Sequence, residues 1–540
     1  MRRSASLAAA ALAATLVASA AQPAAPPKLV VILVVDQMRA DYVDRFRHEW
    51  TDGLDRIVTS GAWFTDAAFP YLTTVTCAGH ATIATGAFPH VHGVFQNAWW
   101  DRVRGQQVTC TEDPGAAPIG YTTTNPSRDS GRKLLVPTFA DALRTARHGR
   151  VVSLALKDRS AIMLAGHGGA AVTWLSNTLD GWMTSTAFSD APVPEVKTFV
   201  DANPIDADFG KTWTRLRPES QYHEPDAGIG EVPPKGWTSV FPHALTGTAN
   251  APGAEFRAQW ERSPFADAYV GRFAAALAES MRLGRQGTTD VLAVSFSSPD
   301  LIGHQFGPGS QEIHDAYLRL DVTIGELLRR LDALVGRDEY VVALASDHGV
   351  TEIPEQRAAA GLGSGRIDQR AIVEAIDTRA RKEIGPGDYV QRESGNDVYF
   401  HPGMYDRVAR APAVLKQILG DVDRVPGIDR AFASGDLRDA SRQPDALARA
   451  AALSYVPDRS GDLVIAPKAG WMFPPAGNAT THATANPDDQ RVPIVLMGAR
   501  IKPGTYAAPA TPADIAPTLA ALCGIELESA EGHALRVALR

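Results

Sequence analysis

The chain has 540 residues, of which 45% are hydrophobic and 21% charged, and a formal net charge of −8. This composition is that of a globular protein, not a disordered one, and the length exceeds a single compact core. An acidic balance also argues against nucleic acid as the main partner.

Met1-Arg2-Arg3, an apolar run over 8–17 and the small-residue triplet Ala18-Ser19-Ala20 form an export signal over residues 1–20. No later stretch is long enough to cross a bilayer. The expectation is a soluble protein, periplasmic or secreted by a bacterium, without membrane contact once the signal is removed. Three cysteines, Cys77, Cys110 and Cys523, are too few for a disulfide scaffold. Export permits one bridge, and Cys77 with Cys110 is the pair that both lie early in the core. None has zinc-finger spacing, so a metal site must use histidine and carboxylate.

Residues 28–35 are an almost unbroken apolar, β-branched run, as in a strand buried on both faces of a parallel sheet. Asp36 follows at once, where open α/β sheets carry their chemistry. Residues 53–61 read as a helix and its stop. The stretch Leu72 to Gly86 holds Thr76, then small residues and a helical run. It sets a hydroxyl at a helix N-terminus, where free N–H groups and the dipole favour an anion. Alone, such a threonine is equally a plain N-cap. Residues 86–94 form a loop rich in His and Gly, and Asn97 follows beside Trp99 and Trp100. His80, His90 and His92 read as structural, since none follows a strand together with an acid.

A helix over 137–146 and a strand over 150–155 lead to Lys157-Asp158-Arg159, two cations spaced to reach one anion. By itself the triplet also fits a solvated charge cluster. Another strand covers 170–175. Residues 184–263, rich in Pro and Trp, read as an insertion over the active face, where specificity is set. A helix over 265–283 precedes a strand over 290–296, which ends in Ser-Ser-Pro-Asp300-Leu-Ile-Gly-His304. Ile313, Tyr317, Leu320, Ile324, Leu327 and Leu331 mark one face of a long helix. The strand over 340–345 ends in Ser346-Asp347-His348-Gly349 and completes a βαβ unit with a right-handed crossover. The Gly-rich residues 361–366 lack a P-loop ending, so no phosphate role follows. Residues 367–467 read as a second insertion, 478–484 as a polar loop with His482, 492–497 as a strand and 513–523 as a helix.

Asp36, Asp300, His304, Asp347 and His348 thus stand just beyond strands, with His482 on a loop. Buried carboxylates without counter-charge are costly, and metal removes that cost. With N and O ligands and about four per ion, the set serves two zinc ions and leaves positions for substrate.

The ordered set resembles the alkaline phosphatase superfamily. Within it, the chain is similar to threonine-nucleophile bacterial alkaline phosphatases, which are close to nucleotide pyrophosphatase/phosphodiesterases. The matching motifs are Asp36 in Val-Val-Asp-Gln-Met-Arg, Thr76 in Thr-Cys-Ala-Gly-His, Ser-Pro-Asp300-Leu-Ile-Gly-His304, Ser-Asp347-His348-Gly and His482 in Thr-His-Ala. The resemblance implies an α/β fold, with a central mostly parallel sheet flanked by helices on both faces. One catalytic domain would span 28–540, with insertions at about 184–263 and 367–467.

It further implies one zinc on Asp300, His304 and His482, and another on Asp36, Asp347 and His348 with Thr76 as the reacting ligand and nucleophile. A metal pair clamps both ends of an in-line displacement. Asn97, Lys157 and Arg159 match the donors that hold the transferred phosphoryl group, and two cations favour a monoester dianion. The expected activity is therefore hydrolysis of small-molecule phosphate monoesters through a phosphothreonine. A phosphodiesterase on the same metals is the alternative, and a binding protein without turnover is a third reading, which the retained Thr76 opposes. Sulfatase chemistry is disfavoured, because Cys77 stands one residue late. Ala483 departs from the family, which more often has Gly after the His482 position.

Overall fold

The computed structural model describes residues 25–540, so the export signal expected over residues 1–20 lies outside the described residues. The main sheet is ten-stranded. Its strands are β1 (Leu29–Val35), β2 (Ala62–Phe64), β3 (Pro118–Gly120), β4 (Val151–Ala155), β5 (Ala171–Leu175), β6 (Trp182–Ser185), β7 (Asp290–Phe296), β8 (Tyr340–Ala345), β9 (Ile494–Gly498) and β10 (Gly504–Tyr506). Their order across the sheet is β10-β2-β9-β8-β1-β7-β4-β5-β6-β3. The central run from β8 to β5 is parallel, and antiparallel pairs flank it on both sides. The βαβ unit read from the sequence skips a place, because β1 lies between β7 and β8.

Strand β1 shows why its sequence is apolar throughout. Leu29, Val31, Leu33 and Val35 face one core, and Val30, Ile32 and Val34 face another. Each such side chain contributes roughly 1.5–3 kcal/mol when fully buried. The helices that frame the site are α1 (Thr76–Thr85), α2 (Asp158–Ala165), α3 (Pro264–Ser280), α4 (Ser298–Phe306), α5 (Gln311–Val335) and α6 (Ile515–Cys523). Helices α3 and α5 cover the first face through Val270, Phe273, Ile324 and Leu327. Helices α1, α2 and α6 cover the second through Ala81, Ile162 and Leu519.

Two further regions surround this core. Residues 184–263 contain the helices Pro194–Ala202 and Ala254–Glu261 and a small antiparallel pair, Thr212–Trp213 with His243–Ala244. Val232 N–H donates to the Gln305 carbonyl at 2.9 Å, so this region braces the end of α4. Residues 367–467 contain a four-stranded antiparallel sheet and the helices Gln369–Glu383 and Pro412–Val422, around a core of Ile372, Ile376, Val422 and Ile465. The expected loop over 86–94 holds a short helix, Pro89–His92, with Pro at its start. Among the described residues no helix is long and apolar enough to cross a membrane.

Gly79 seats α1 against the loop after β8. A Cβ added there would lie 2.0 Å from the Asp347 carbonyl oxygen, a backbone atom that cannot step aside alone. Gly79→Ala is therefore expected to destabilise the protein by about 1–3 kcal/mol, although alanine is the better helix former. Urea unfolding measures this, and an unchanged midpoint would mean that α1 shifts freely.

Candidate active site

Strands β8, β1 and β7 are neighbours and parallel, so their carboxyl ends open side by side. Each end delivers an acid. Asp36 follows β1 directly, and Asp347 follows β8 after Ser346. Asp300 lies in the first turn of α4, just beyond β7, and His304 stands one turn later on the same face. His348 follows Asp347, and His482 arrives on a loop. Asp36, Asp347 and His348 are fully buried, and Asp300 nearly so.

The three imidazoles are held alike. Nδ1 of His304 lies 2.8 Å from the Thr480 carbonyl, that of His348 2.9 Å from the Gly349 carbonyl, and that of His482 2.6 Å from the Thr74 carbonyl. A carbonyl only accepts, so each Nδ1 carries a proton, and in the neutral ring Nε2 then presents the lone pair. His304 Nε2 lies 3.2 Å from Asp300 Oδ1, and His482 Nε2 lies 3.8 Å from the same oxygen. His348 Nε2 is 3.6 Å from Asp36 Oδ1, 3.4 Å from Asp347 Oδ2 and 3.4 Å from Thr76 Oγ1.

Two groups have ligand atoms close enough to share an ion: Asp300 with His304 and His482, and Asp36 with Asp300 and His348. The first is the trio expected from the sequence. The second has Asp300 where Asp347 was expected. Asp347 Oδ1 accepts from the Gln37 N–H at 3.1 Å, and its Oδ2 lies 3.2 Å from His80 Nδ1, which bonds the Thr76 carbonyl instead. Asp36 Oδ1 and Asp347 Oδ2 are buried without a hydrogen-bond partner. Orphaned carboxylate oxygens beside free imidazole lone pairs are a donor set that fits zinc.

Charge is concentrated here. Burial holds the Asp36 carboxyl well above its usual range, and the charges of Asp300 and Asp347 add to the effect. Burial opposes ionisation of Asp300 and Asp347 too. His304 and Lys157 beside the first, and His348 and His80 beside the second, outweigh it and hold both below the usual range. Burial lowers His348 and His482, which favours the neutral form that a metal requires.

Lys157 and Arg159 were expected to face an anion together. Lys157 instead bonds through Nζ to Asp36 Oδ2 at 2.6 Å and Asp300 Oδ2 at 2.5 Å. Its ammonium is the counter-charge that these two carboxylates need. Arg159 lies in the first turn of α2, partly buried, with Nη1 3.6 Å from Asp158. Thr76 is the first residue of α1, preceded by extended Val75, so its hydroxyl stands at the helix head. Asn97 Oδ1 accepts from Cys77 N–H at 2.9 Å in that same turn.

Two residues escaped the sequence reading. Gln37 joins two of the acids, with its N–H on Asp347 and its Nε2 on Asp300 Oδ1 at 2.7 Å. It does so from a positive φ of 66°, a conformation uncommon outside glycine. His80 was read as structural, yet its Nδ1 meets both Asp347 and the Thr76 carbonyl, and its Nε2 lies 2.9 Å from Ser295 Oγ. The helical spacing from Thr76 to His80 was the available signal. His90 and His92 stay outside, on Glu531 and Thr82. Ala483 adopts φ 82°, which explains why glycine suits that position.

Comparisons with known proteins identify the family and match the fold. Residues 30–486 match the family described as type I phosphodiesterase / nucleotide pyrophosphatase. The chain is 32% identical over 508 residues to alkaline phosphatase PhoV of Synechococcus elongatus, covering 92% of this chain and 90% of that one. It is 31% identical over 515 residues to alkaline phosphatase PhoK of a Sphingomonas species, covering 90% and 87%. The crystal structure of wild-type alkaline phosphatase PafA matches with a TM-score of 0.85 at 29% identity, over 95% of this chain and 99% of that one. The chain is thus a hydrolase that belongs to the type I phosphodiesterase/nucleotide pyrophosphatase family of the alkaline phosphatase superfamily.

Proposed function

We propose that the protein is an exported phosphate monoester hydrolase that uses two zinc ions and a covalent phosphothreonine. The observation that carries this reading is the convergence of buried acids and imidazole Nε2 atoms in two adjoining groups, one of which brings His348 Nε2 within 3.4 Å of the Thr76 hydroxyl. We assign Asp300, His304 and His482 to one ion, and Asp36, Asp347, His348 and Thr76 to the other. Bound there, a zinc pair stabilises charge on the attacking and leaving oxygens.

The protein's own groups supply the rest. Thr76 Oγ attacks phosphorus in line, and its new O–P bond forms as the ester O–P bond breaks and the alcohol departs. Water then cleaves the phosphothreonine, which releases inorganic phosphate and restores the hydroxyl. Asn97 Nδ2 and the Arg159 guanidinium donate to the phosphoryl oxygens. Lys157, which bridges Asp36 and Asp300, would be released to do the same if metal took over those carboxylates. A solved variant of PafA carries replacements of a threonine, an asparagine, a lysine and an arginine. Its threonine and asparagine are as far apart in sequence as Thr76 and Asn97, and its lysine and arginine as far apart as Lys157 and Arg159, which supports the assignment.

Diester hydrolysis is the second reading, favoured by the family description that residues 30–486 match. A monoester dianion offers more charge to Lys157 and Arg159 than a diester monoanion does.

Chelation is expected to abolish turnover, and zinc to restore it with about two ions per chain by metal analysis. Full activity in metal-free protein would refute the mechanism. Thr76→Ala should bind the metals yet lose turnover by orders of magnitude, with Thr76→Ser partly active; monoester kinetics and phosphoenzyme trapping read both. Replacing Lys157 and Arg159 together by alanine should slow monoester cleavage far more than diester cleavage. Each donor is worth on the order of 2–4 kcal/mol. Matched kcat/KM values decide, and a parent enzyme that prefers the diester would favour the second reading.

A further inference from the structure

The cross-link beside the nucleophile has no part in the reaction as derived. Cys77 and Cys110 form a disulfide, with Cα atoms 6.6 Å apart. Both are buried, at 0% and 1% exposure. Cys77 is the second residue of α1, next to Thr76. Cys110 follows the second strand of a hairpin, Ala98–Asp101 with Gln106–Thr109, in which Ala98 pairs with Thr109. Asn97 enters that hairpin directly opposite Cys110.

Asn97 is therefore gripped from both ends of the bridge. Cys110 N–H donates to its backbone carbonyl at 2.9 Å. Cys77 N–H donates to its side-chain Oδ1, also at 2.9 Å. That second bond fixes the orientation of the carboxamide, because Oδ1 must face the N–H. Nδ2 is left pointing away from it, with no hydrogen-bond partner among the described residues. The other end of the hairpin is an exposed turn, where Val103 is 97% exposed, while Trp99 and Val108 pack into the second core and Arg102 reaches Asp462 of the 367–467 region at 3.0 Å. The hairpin base is thus joined to the nucleophile helix by the bridge and by the Cys77–Asn97 bond.

We propose that the Cys77–Cys110 disulfide is a positioning element for phosphoryl binding: it holds Asn97 at a set distance from Thr76, so that the Asn97 amide meets the phosphoryl group in flight. This rests on the proposed role of Asn97 as a phosphoryl donor. The bridge ties the start of the nucleophile helix covalently to the base of the hairpin, and precise placement of a donor is worth more than its presence.

The test is a double-mutant cycle on the zinc-loaded enzyme, reading monoester kcat/KM and inhibition by inorganic phosphate. Asn97→Ala comes first. If it is as active as the parent, the donor role fails, and the proposal with it, before any cysteine is changed. Given a loss there, Cys77→Ala with Cys110→Ala is expected to lower kcat/KM by about tenfold or more and to weaken phosphate inhibition, with zinc content unchanged. In the Asn97→Ala background the same pair should cost less than about twofold. An equal loss in both backgrounds, or none in the parent, overturns the proposal.

If the cysteine pair does not fold, the parent and Asn97→Ala proteins are reduced stepwise by a dithiol. Each bridge sulfur takes up one hydrogen, and the dithiol closes to its own disulfide. Mass spectrometry counts the thiols of Cys77 and Cys110. Activity should fall with their appearance in the parent alone while zinc stays bound. Full activity in the reduced parent, or loss only as zinc leaves, overturns the proposal.

Discussion

Three carboxylates buried in one cleft are the constraint on which the site depends. Asp36, Asp300 and Asp347 stand at adjacent strand ends because the sheet order brings β8, β1 and β7 together. Their mutual repulsion and desolvation oppose burial. Every neighbouring feature answers that repulsion. Lys157 spans two of the acids, Gln37 donates to two, and His80 leans on one. The same donors that relieve the charge also fix the carboxylates in direction, which a metal pair requires.

The imidazoles are fixed by a different device. Their Nδ1 atoms rest on main-chain carbonyls of Thr74, Gly349 and Thr480. Main-chain acceptors fix each ring's direction without adding charge, so the Nε2 atoms face the acids. His348 and His482 stack with ring centroids 3.5 Å apart. That arrangement suits neutral rings, and burial keeps them so.

Much of this was legible in the sequence. The apolar run of β1 announces a strand buried on both faces, and period-3.6 spacing marks α5. Asp300 and His304 lie four residues apart, a helical spacing that puts both on one face. Other features were illegible for physical reasons. Carbonyl anchors leave no trace in residue identity, since every residue has a carbonyl. Gln37 follows Asp36 as an ordinary polar residue, and only the backbone turn at φ 66° aims it at both acids. Lys157 was identified as a cation at the right strand end, but its partners depend on which charges the fold places nearest. Ala483 was visible only as a departure from a family pattern, and its left-handed backbone gives that departure a cause.

The candidate ligands extend along the chain from Asp36 to His482, and no two strands that deliver them are joined by a short turn. Closing such distances is entropically slow and happens late in folding. A fragment that ends before residue 482 would present only part of the donor set. Tight metal capture therefore reports that the whole chain has reached its native arrangement. In a polypeptide still being made, scattered ligands keep ions from being bound prematurely.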